Sequence, residues 1–140
     1  MKNHFLLSWI IQVITAIVLG FAVYPKFAGA EESIALFTHI EMEPFGRYLI
    51  GALELIAIIL LLIPSSVAYG ALLTWGVMVG ATMGHMTTIG YSGSNLSLGL
   101  LALALLILSS VILYIRRLEL PLIGSMFDRA SEAKCATPES

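Results

Sequence analysis

Glu54 is the only formally charged side chain between Arg47 and Arg116, and it stands within a run of residues apolar enough to cross a bilayer. An acidic side chain at the centre of a membrane helix costs about 2.5 to 3.5 kcal/mol, so it is usually paired, neutralised or turned toward the interior of a helix bundle. His85 is the other readily titrating side chain in this stretch. The two residues therefore predict a polar pocket, in which Glu54 exchanges a proton or anchors a polar head group and His85 relays a proton or donates a hydrogen bond.

A structural role is the alternative for both residues. Glu54 can form one half of a buried polar pair that fixes the register of two helices, and His85 can bond to a carbonyl group or water near a helix end. Two cations are candidate partners for Glu54. Arg47 lies on the same helix face, seven residues earlier, and Lys26 follows the first apolar segment. Both interpretations predict that a polar neighbour, rather than lipid, surrounds the carboxylate.

Composition places these residues in an integral membrane protein. Hydrophobic residues make up 59% of the 140 residues and charged residues 11%, with a mean hydropathy of +0.95, whereas charged residues make up about a quarter of an average soluble domain. The length allows one domain of a few spanning helices of about 20 residues each. The net charge of -2 comes with no dense basic cluster, so the lipid bilayer is a partner and nucleic acid is not. Cys135 is the single cysteine, which excludes an intramolecular disulfide.

Four apolar segments predict an all-α fold, a membrane four-helix bundle with one longer outer loop between the first two helices. Pro25 and Lys26 end the first segment, and Pro64 ends the second, because proline lacks an amide donor and obstructs the preceding turn. Residues 1–117 form the bundle, and residues 118–140 form a cytoplasmic interfacial segment and a disordered tail. The predicted spans cover about residues 5–24, 46–63, 67–89 and 96–115.

The distribution of lysine and arginine predicts that both termini are cytoplasmic, in a bacterial inner membrane. Positive charges favour the cytoplasmic side when they lie close to a span. In this orientation Glu54 lies roughly 10 Å and His85 roughly 6 Å from the outer ends of their helices, at about 1.5 Å per residue. The cytoplasmic charges are Lys2, Arg116, Arg117, Arg129 and Lys134.

The amino-terminal segment also resembles a cleavable signal peptide. Lys2, an apolar run and Ala28-Gly29-Ala30 occur in the expected order. The apolar run is longer than the usual 7 to 15 or so residues, and Lys26 interrupts it before the small residues, so an uncleaved span is favoured. Cleavage would leave three spans and an exported amino terminus.

Gly76, Gly80 and Gly84 follow one another at four-residue spacing and form a flat strip on one face of the third predicted helix. Such strips let membrane helices approach closely. Packing inside the bundle is favoured over a homodimer interface, which remains the alternative. No metal site is predicted, because the neighbouring methionines are typical of adaptable apolar filling, and a histidine alternating with acidic residues in a loop is a weak metal signal. These residues are Met78, Met83 and Met86, and His39, Glu41 and Glu43.

The chain resembles the DoxX family of small four-span membrane proteins from its first span to Arg117. The sequence Gly-Phe-Ala-Val-Tyr-Pro-Lys-Phe-Ala-Gly at 20–29 and Gly-Ala-Leu-Glu at 51–54 carry the resemblance in the first two spans. Leu-Leu-Leu-Ile-Pro at 60–64, and Met-Val-Gly-Ala at 78–81 followed by His85, carry it further. The resemblance implies a four-helix bundle in which Lys26, Glu54 and His85 are the prominent polar residues.

The family's roles differ widely. Some members look like membrane subunits of quinone-linked sulfur oxidation, others are tied to redox-stress assemblies, and distant eukaryotic relatives act as assembly chaperones for membrane receptors. The resemblance thus implies an accessory subunit of a quinone- or redox-linked membrane assembly, with a quinone as the cofactor and a redox protein as the partner. A non-enzymatic assembly protein and a small-molecule or lipid-binding protein are the alternatives. The sequence has no intramembrane cysteine pair, haem-binding histidine pair or iron–sulfur spacing, which disfavours an enzyme made of this chain alone.

Overall fold

The computed structural model describes residues 2–90 and 93–119, and within these residues the chain is helical, without a strand. The predicted all-α fold is confirmed. Most of the predicted interfacial segment and tail, including Cys135, lies outside the described residues. The helices are α1 (Lys2–Ala28), α2 (Glu31–His39), α3 (Phe45–Leu62), α4 (Val67–Gly84) and α5 (Ser94–Ile115); a π-helical turn (His85–Ile89) follows α4 and a 3-10 turn (Arg117–Glu119) follows α5.

Four of these segments are long and apolar enough to cross a membrane. Each has 18 to 23 residues, and about 20 helical residues span a hydrocarbon core of about 30 Å. The four apolar helices are compatible with a helical membrane bundle, as the sequence predicts. The candidate spans are Leu6–Ala28, Phe45–Leu62, Val67–Ile89 and Asn95–Ile115.

α1 extends one turn beyond the predicted stop at Pro25. Proline removes one amide donor but fixes a backbone φ that a helix accepts, so the helix continues to Ala28. It ends at Gly29, whose φ of +69° suits a residue without a side chain, and the Ala30 amide donates to the Pro25 carbonyl at 3.0 Å. The extra turn places Lys26 on the helix rather than in a loop.

The predicted outer loop contains a short helix, α2. Glu31 and Glu32 occupy its first turn and His39 its last, an arrangement that the helix dipole favours. Ser33 and Phe37 lie one turn apart on the same face and are buried. α2 packs against α1 and α3 at one end of the bundle, which we call the α2 end.

The four long helices pack in the order α1, α3, α4 and α5, and α5 also contacts α1. α3 and α4 approach most closely at Gly70, where an added Cβ would lie 2.7 Å from the backbone nitrogen of Leu61. A glycine is therefore required at this crossing. The central buried cluster takes residues from all four helices: Leu19, Ala57, Met78, Ala102 and Leu105.

Candidate functional site

An ion pair between Lys26 on α1 and Glu54 on α3 lies at the α2 end. Lys26 Nζ is 3.1 Å from Glu54 Oε1 and 2.9 Å from Oε2, and it also donates to the carbonyl of Ala22 at 2.9 Å. Glu54 is only 3% exposed. Of the two cations that the sequence offers as partners for Glu54, the structure therefore brings Lys26 into contact with it.

Gly51 is the residue that lets the two helices meet at this point. It precedes Glu54 by one turn, and a Cβ added there would lie 3.1 Å from the Phe27 ring and 3.5 Å from Lys26 Cβ. A larger residue would push the end of α1 away from α3. Because a buried carboxylate without a partner is strongly destabilising, the close approach at Gly51 supports the charge at Glu54.

Arg47 is buried on α3 but does not line the cavity described below. Its Nε donates to both carboxylate oxygens of Glu43, at 2.8 and 2.9 Å, and its Nη1 donates to the backbone carbonyl of Lys26. Its guanidinium also lies 4.3 Å from the centre of the Tyr48 ring. Arg47 thus holds the backbone of the residue that pairs with Glu54, instead of contacting that carboxylate as a counter-ion.

A cavity of about 850 Å³ opens beside the ion pair. All five helices contribute to its lining, which is mostly aliphatic. This volume and this balance of apolar walls with few polar groups are typical of sites for small organic molecules. Its polar lining side chains are Lys26, Glu32, Ser33, Glu54, Tyr69 and His85. The sequence-predicted Lys26, Glu54 and His85 therefore share one cavity.

His85 begins the π-helical turn after α4 and is 3% exposed. Its Nδ1 lies 3.3 Å from the carbonyl oxygen of Gly90. Since a carbonyl oxygen only accepts, Nδ1 is the donor in this contact. Gly90 has a φ of +79° and donates its amide to the His85 carbonyl at 2.9 Å, which closes the turn around the ring.

The cavity reaches the outside of the bundle within the candidate spans. Among its lining residues, Phe21 is 74% exposed, Tyr69 47% and Leu72 46%. Gly76 and Gly80 also line it, and a Cβ added to either would meet nothing within 4 Å. We call this exposed part of the lining the side opening. At the depth of the spans such an opening faces lipid or another membrane protein.

The glycine strip therefore differs from the predicted packing surface. Gly76 and Gly80 border the cavity rather than a neighbouring helix, and a Cβ at Gly84 would make ordinary contact with Ile89 at 3.6 Å. Four-residue spacing shows that the glycines share a helix face, but it does not show what that face meets. The close crossing is made by Gly70, on the same helix.

α2 supplies lining residues that were not predicted from the sequence. Glu32 and Ser33 line the main cavity, and a second cavity of about 470 Å³ lies along the same helix, shares Glu32, and includes Glu31 and His39. The signal for α2 was the helical spacing of Ser33, Leu36, Phe37 and Ile40 in a segment interpreted as a loop.

The candidate metal ligands do not converge. His39 Nε2 lies 3.2 Å from the carbonyl oxygen of Thr88, and Glu43 pairs with Arg47. No group of three histidine, cysteine or acidic side chains that could hold a metal occurs in residues 2–90 and 93–119. Met78 is buried in the core, while Met83 and Met86 are 59% and 72% exposed. The methionines therefore do not gather into a thioether site.

A comparison with known protein families identifies the family of this chain. The family model described as the DoxX-like family matches residues 10–109, a range that includes Lys26, Glu54 and His85. No curated protein and no solved structure matches the chain.

Proposed function

The chain belongs to the DoxX-like family of membrane proteins, and from its cavity we propose that it binds the head group of a membrane quinone, as an accessory subunit of a redox-linked assembly. One observation carries this proposal: a buried ion pair, Lys26 and Glu54, lies in the lining of a mostly apolar cavity. Charged groups at membrane depth are costly, and they commonly mark ligand or proton sites.

The shape of the cavity supports a ligand with a polar head and an apolar tail. Lys26 and Glu54 would lie beside the oxygens of a quinone ring, and the aliphatic walls would contact its flat face. The side opening at Gly76 and Gly80 gives a long isoprenoid chain a way into the bilayer. A compact water-soluble molecule would leave most of this apolar lining without a contact.

The ion pair also supports proton exchange with such a ligand. Reduction of a quinone to a quinol consumes two electrons and two protons, and in this proposal a reduced partner protein supplies the electrons. Glu54 and His85, which line one cavity, are groups able to give or take the protons. The roles of this chain are then to bind the quinone ring and to give or take its protons.

The location that we propose is the bacterial cytoplasmic membrane, with both termini in the cytoplasm. Arg116 and Arg117 follow the last span, and positive charge near a span favours the cytoplasmic side. The α2 end, with the cavity, would then lie toward the outer surface.

Binding of a short-chain benzoquinone to the purified protein in lipid nanodiscs tests the proposal. We expect saturable binding that weakens by about tenfold or more in Glu54→Gln, because the neutral amide no longer holds the Lys26 ammonium, the charged donor from which a quinone carbonyl can accept. A hydrogen bond to a charged group is worth about 1.5 to 3 kcal/mol. Glu43→Gln is the matched control, since Glu43 is an ion-paired acid at the same end but does not line the cavity. Equal affinity in Glu54→Gln and the unmodified protein would contradict the proposal.

A further inference from the structure

We propose that protons move between the main cavity and the water at the α2 end through Glu32. This inference rests on the proposed function, because the reduction of a quinone takes up protons and the oxidation of a quinol releases them. It assigns a role to a residue outside the candidate spans. It follows from the position of Glu32, which lines both the main cavity and the second cavity.

The second cavity lies where the bundle meets water. Its lining residues come from α2, which is not one of the candidate spans, and from the ends of two spans, Ile89 and Asn95. The titratable side chains in its lining are exposed; they are Glu31, Glu32 and His39. Water therefore reaches this cavity without crossing the apolar part of the bundle.

Glu32 is the titratable side chain that the two cavities have in common. Among the described residues, three line both of them: Glu32, Leu36 and Ile89. Leu36 and Ile89 are apolar and cannot carry a proton. A carboxylate that contacts both spaces can take a proton from one and release it into the other.

The other acid and the histidine of the main cavity are too deeply buried to exchange protons with bulk water by themselves. Glu54 and His85 are each only 3% exposed, whereas Glu32 is exposed. Tyr69 also lines the main cavity and is exposed, but it lies in the first turn of α4, at the opposite end of that helix from the π-helical turn. Glu32 is therefore the group that connects the main cavity to water at the α2 end.

The proton transfer is balanced in both directions. When a quinol is oxidised, each O–H bond breaks, the proton goes to a carboxylate oxygen of Glu32, directly or through a water molecule, and the two electrons go to an oxidised partner protein. Glu32 then gives the proton to water in the second cavity and becomes a carboxylate again, ready for the second proton. When a quinone is reduced, the same steps run in reverse.

Glu31 supplies a matched control for Glu32. Both residues stand in the first turn of α2, where the helix dipole favours a negative charge, and both are exposed. Glu31 lines the second cavity but not the main cavity. A role in stabilising α2 would make the two glutamates equivalent, whereas a role in proton transfer distinguishes Glu32.

The oxidation of a short-chain benzoquinol bound to the protein in nanodiscs tests this inference. Ferricyanide in the water takes the electrons, and a pH-sensitive dye records proton release in a stopped-flow instrument. The oxidant is raised until the rate no longer depends on it, and the signal of nanodiscs without protein is subtracted. We expect Glu32→Gln to slow proton release by about tenfold or more, since a positioned proton-transfer group typically contributes about a hundredfold or more. Glu31→Gln should keep the rate of the unmodified protein.

Added formate separates proton transfer from a structural effect. Formate is a small carboxylate, so it should restore the rate in Glu32→Gln by carrying the proton in place of the missing side chain. An unchanged rate in Glu32→Gln, an equal loss in Glu31→Gln, or a loss that formate does not restore would overturn the role of Glu32 and leave ligand binding in place. Failure of the benzoquinol and the benzoquinone to bind the unmodified protein would overturn the proposed function as well.

Discussion

Glu54 Oε2 on α3 lies 2.9 Å from Lys26 Nζ on α1, across a separation of 28 residues in the sequence. The pair joins two membrane helices at the end where α2 packs, and it lies at the wall of the cavity. The pair joins the two helices, and in the function that we propose it also takes part in ligand binding. Its two contributions can be separated by mutation.

Lys26→Met should destabilise the protein by about 3 to 5 kcal/mol, because it leaves a buried carboxylate without its partner. Combining it with Glu54→Leu should restore most of the loss, since the double variant replaces the ion pair by apolar contacts. The free energy of unfolding, measured in mixed micelles of increasing denaturing detergent, checks both. A double variant as unstable as Lys26→Met alone would show that the carboxylate is not what the lysine stabilises.

Arg47→Met should weaken benzoquinone binding by about threefold to tenfold, because the carbonyl of Lys26 loses the guanidinium that holds it. The measurement is the same nanodisc titration. Arg117→Met is the matched control: Arg117 also stacks on a tyrosine, 4.6 Å from the ring centre of Tyr114, but does not line the cavity. Equal affinities in the two variants would contradict the role of Arg47 in positioning Lys26 for ligand binding.

Gly80→Leu should reduce binding by about tenfold or more by filling the side opening. A Cβ at this position meets nothing within 4 Å, so the fold should tolerate the change. Gly20→Leu is the control, because Gly20 on α1 has the same open surroundings and does not line the cavity. Normal ligand affinity together with an altered oligomeric state in Gly80→Leu would instead favour the homodimer interface that the glycine spacing suggests.

Gly70→Ala should destabilise the bundle by about 1 to 3 kcal/mol, the usual cost of overpacking. The added Cβ would lie 2.7 Å from the Leu61 nitrogen and 2.9 Å from the Leu60 carbonyl carbon, and backbone atoms cannot move aside as a side-chain end can. Gly76→Ala, on the same helix with open space around it, should leave the free energy of unfolding unchanged or raise it by up to about 1 kcal/mol. Equal effects in both would contradict the close crossing at Gly70.

The four spans follow from the sequence because hydropathy is a sum over about 20 neighbouring residues and needs no tertiary information. The end of α1 was harder to place. A proline at position 25 predicts a helix end, yet α1 continues to Ala28, and Gly29 with its positive φ follows. α2 was missed because nine residues with charged ends form too short a pattern to stand out from a loop.

By itself the sequence determined that Glu54 is a costly charge and that it needs a polar neighbour, because both follow from the surrounding hydropathy. The sequence also predicted Lys26, Arg47 and His85 as candidate neighbours of Glu54. Only the tertiary structure decided that Lys26 makes the contact and that Arg47 holds the backbone behind it. An ion pair depends on ångström distances between helices, and residue spacing along one helix does not fix these.

The same limit applies to the glycines. Spacing determined that Gly76, Gly80 and Gly84 share one face of α4, but only the packing of α3 and α5 around that helix decided that the face borders a cavity. Periodicity fixes which side chains point together. What they point at depends on where the other helices lie.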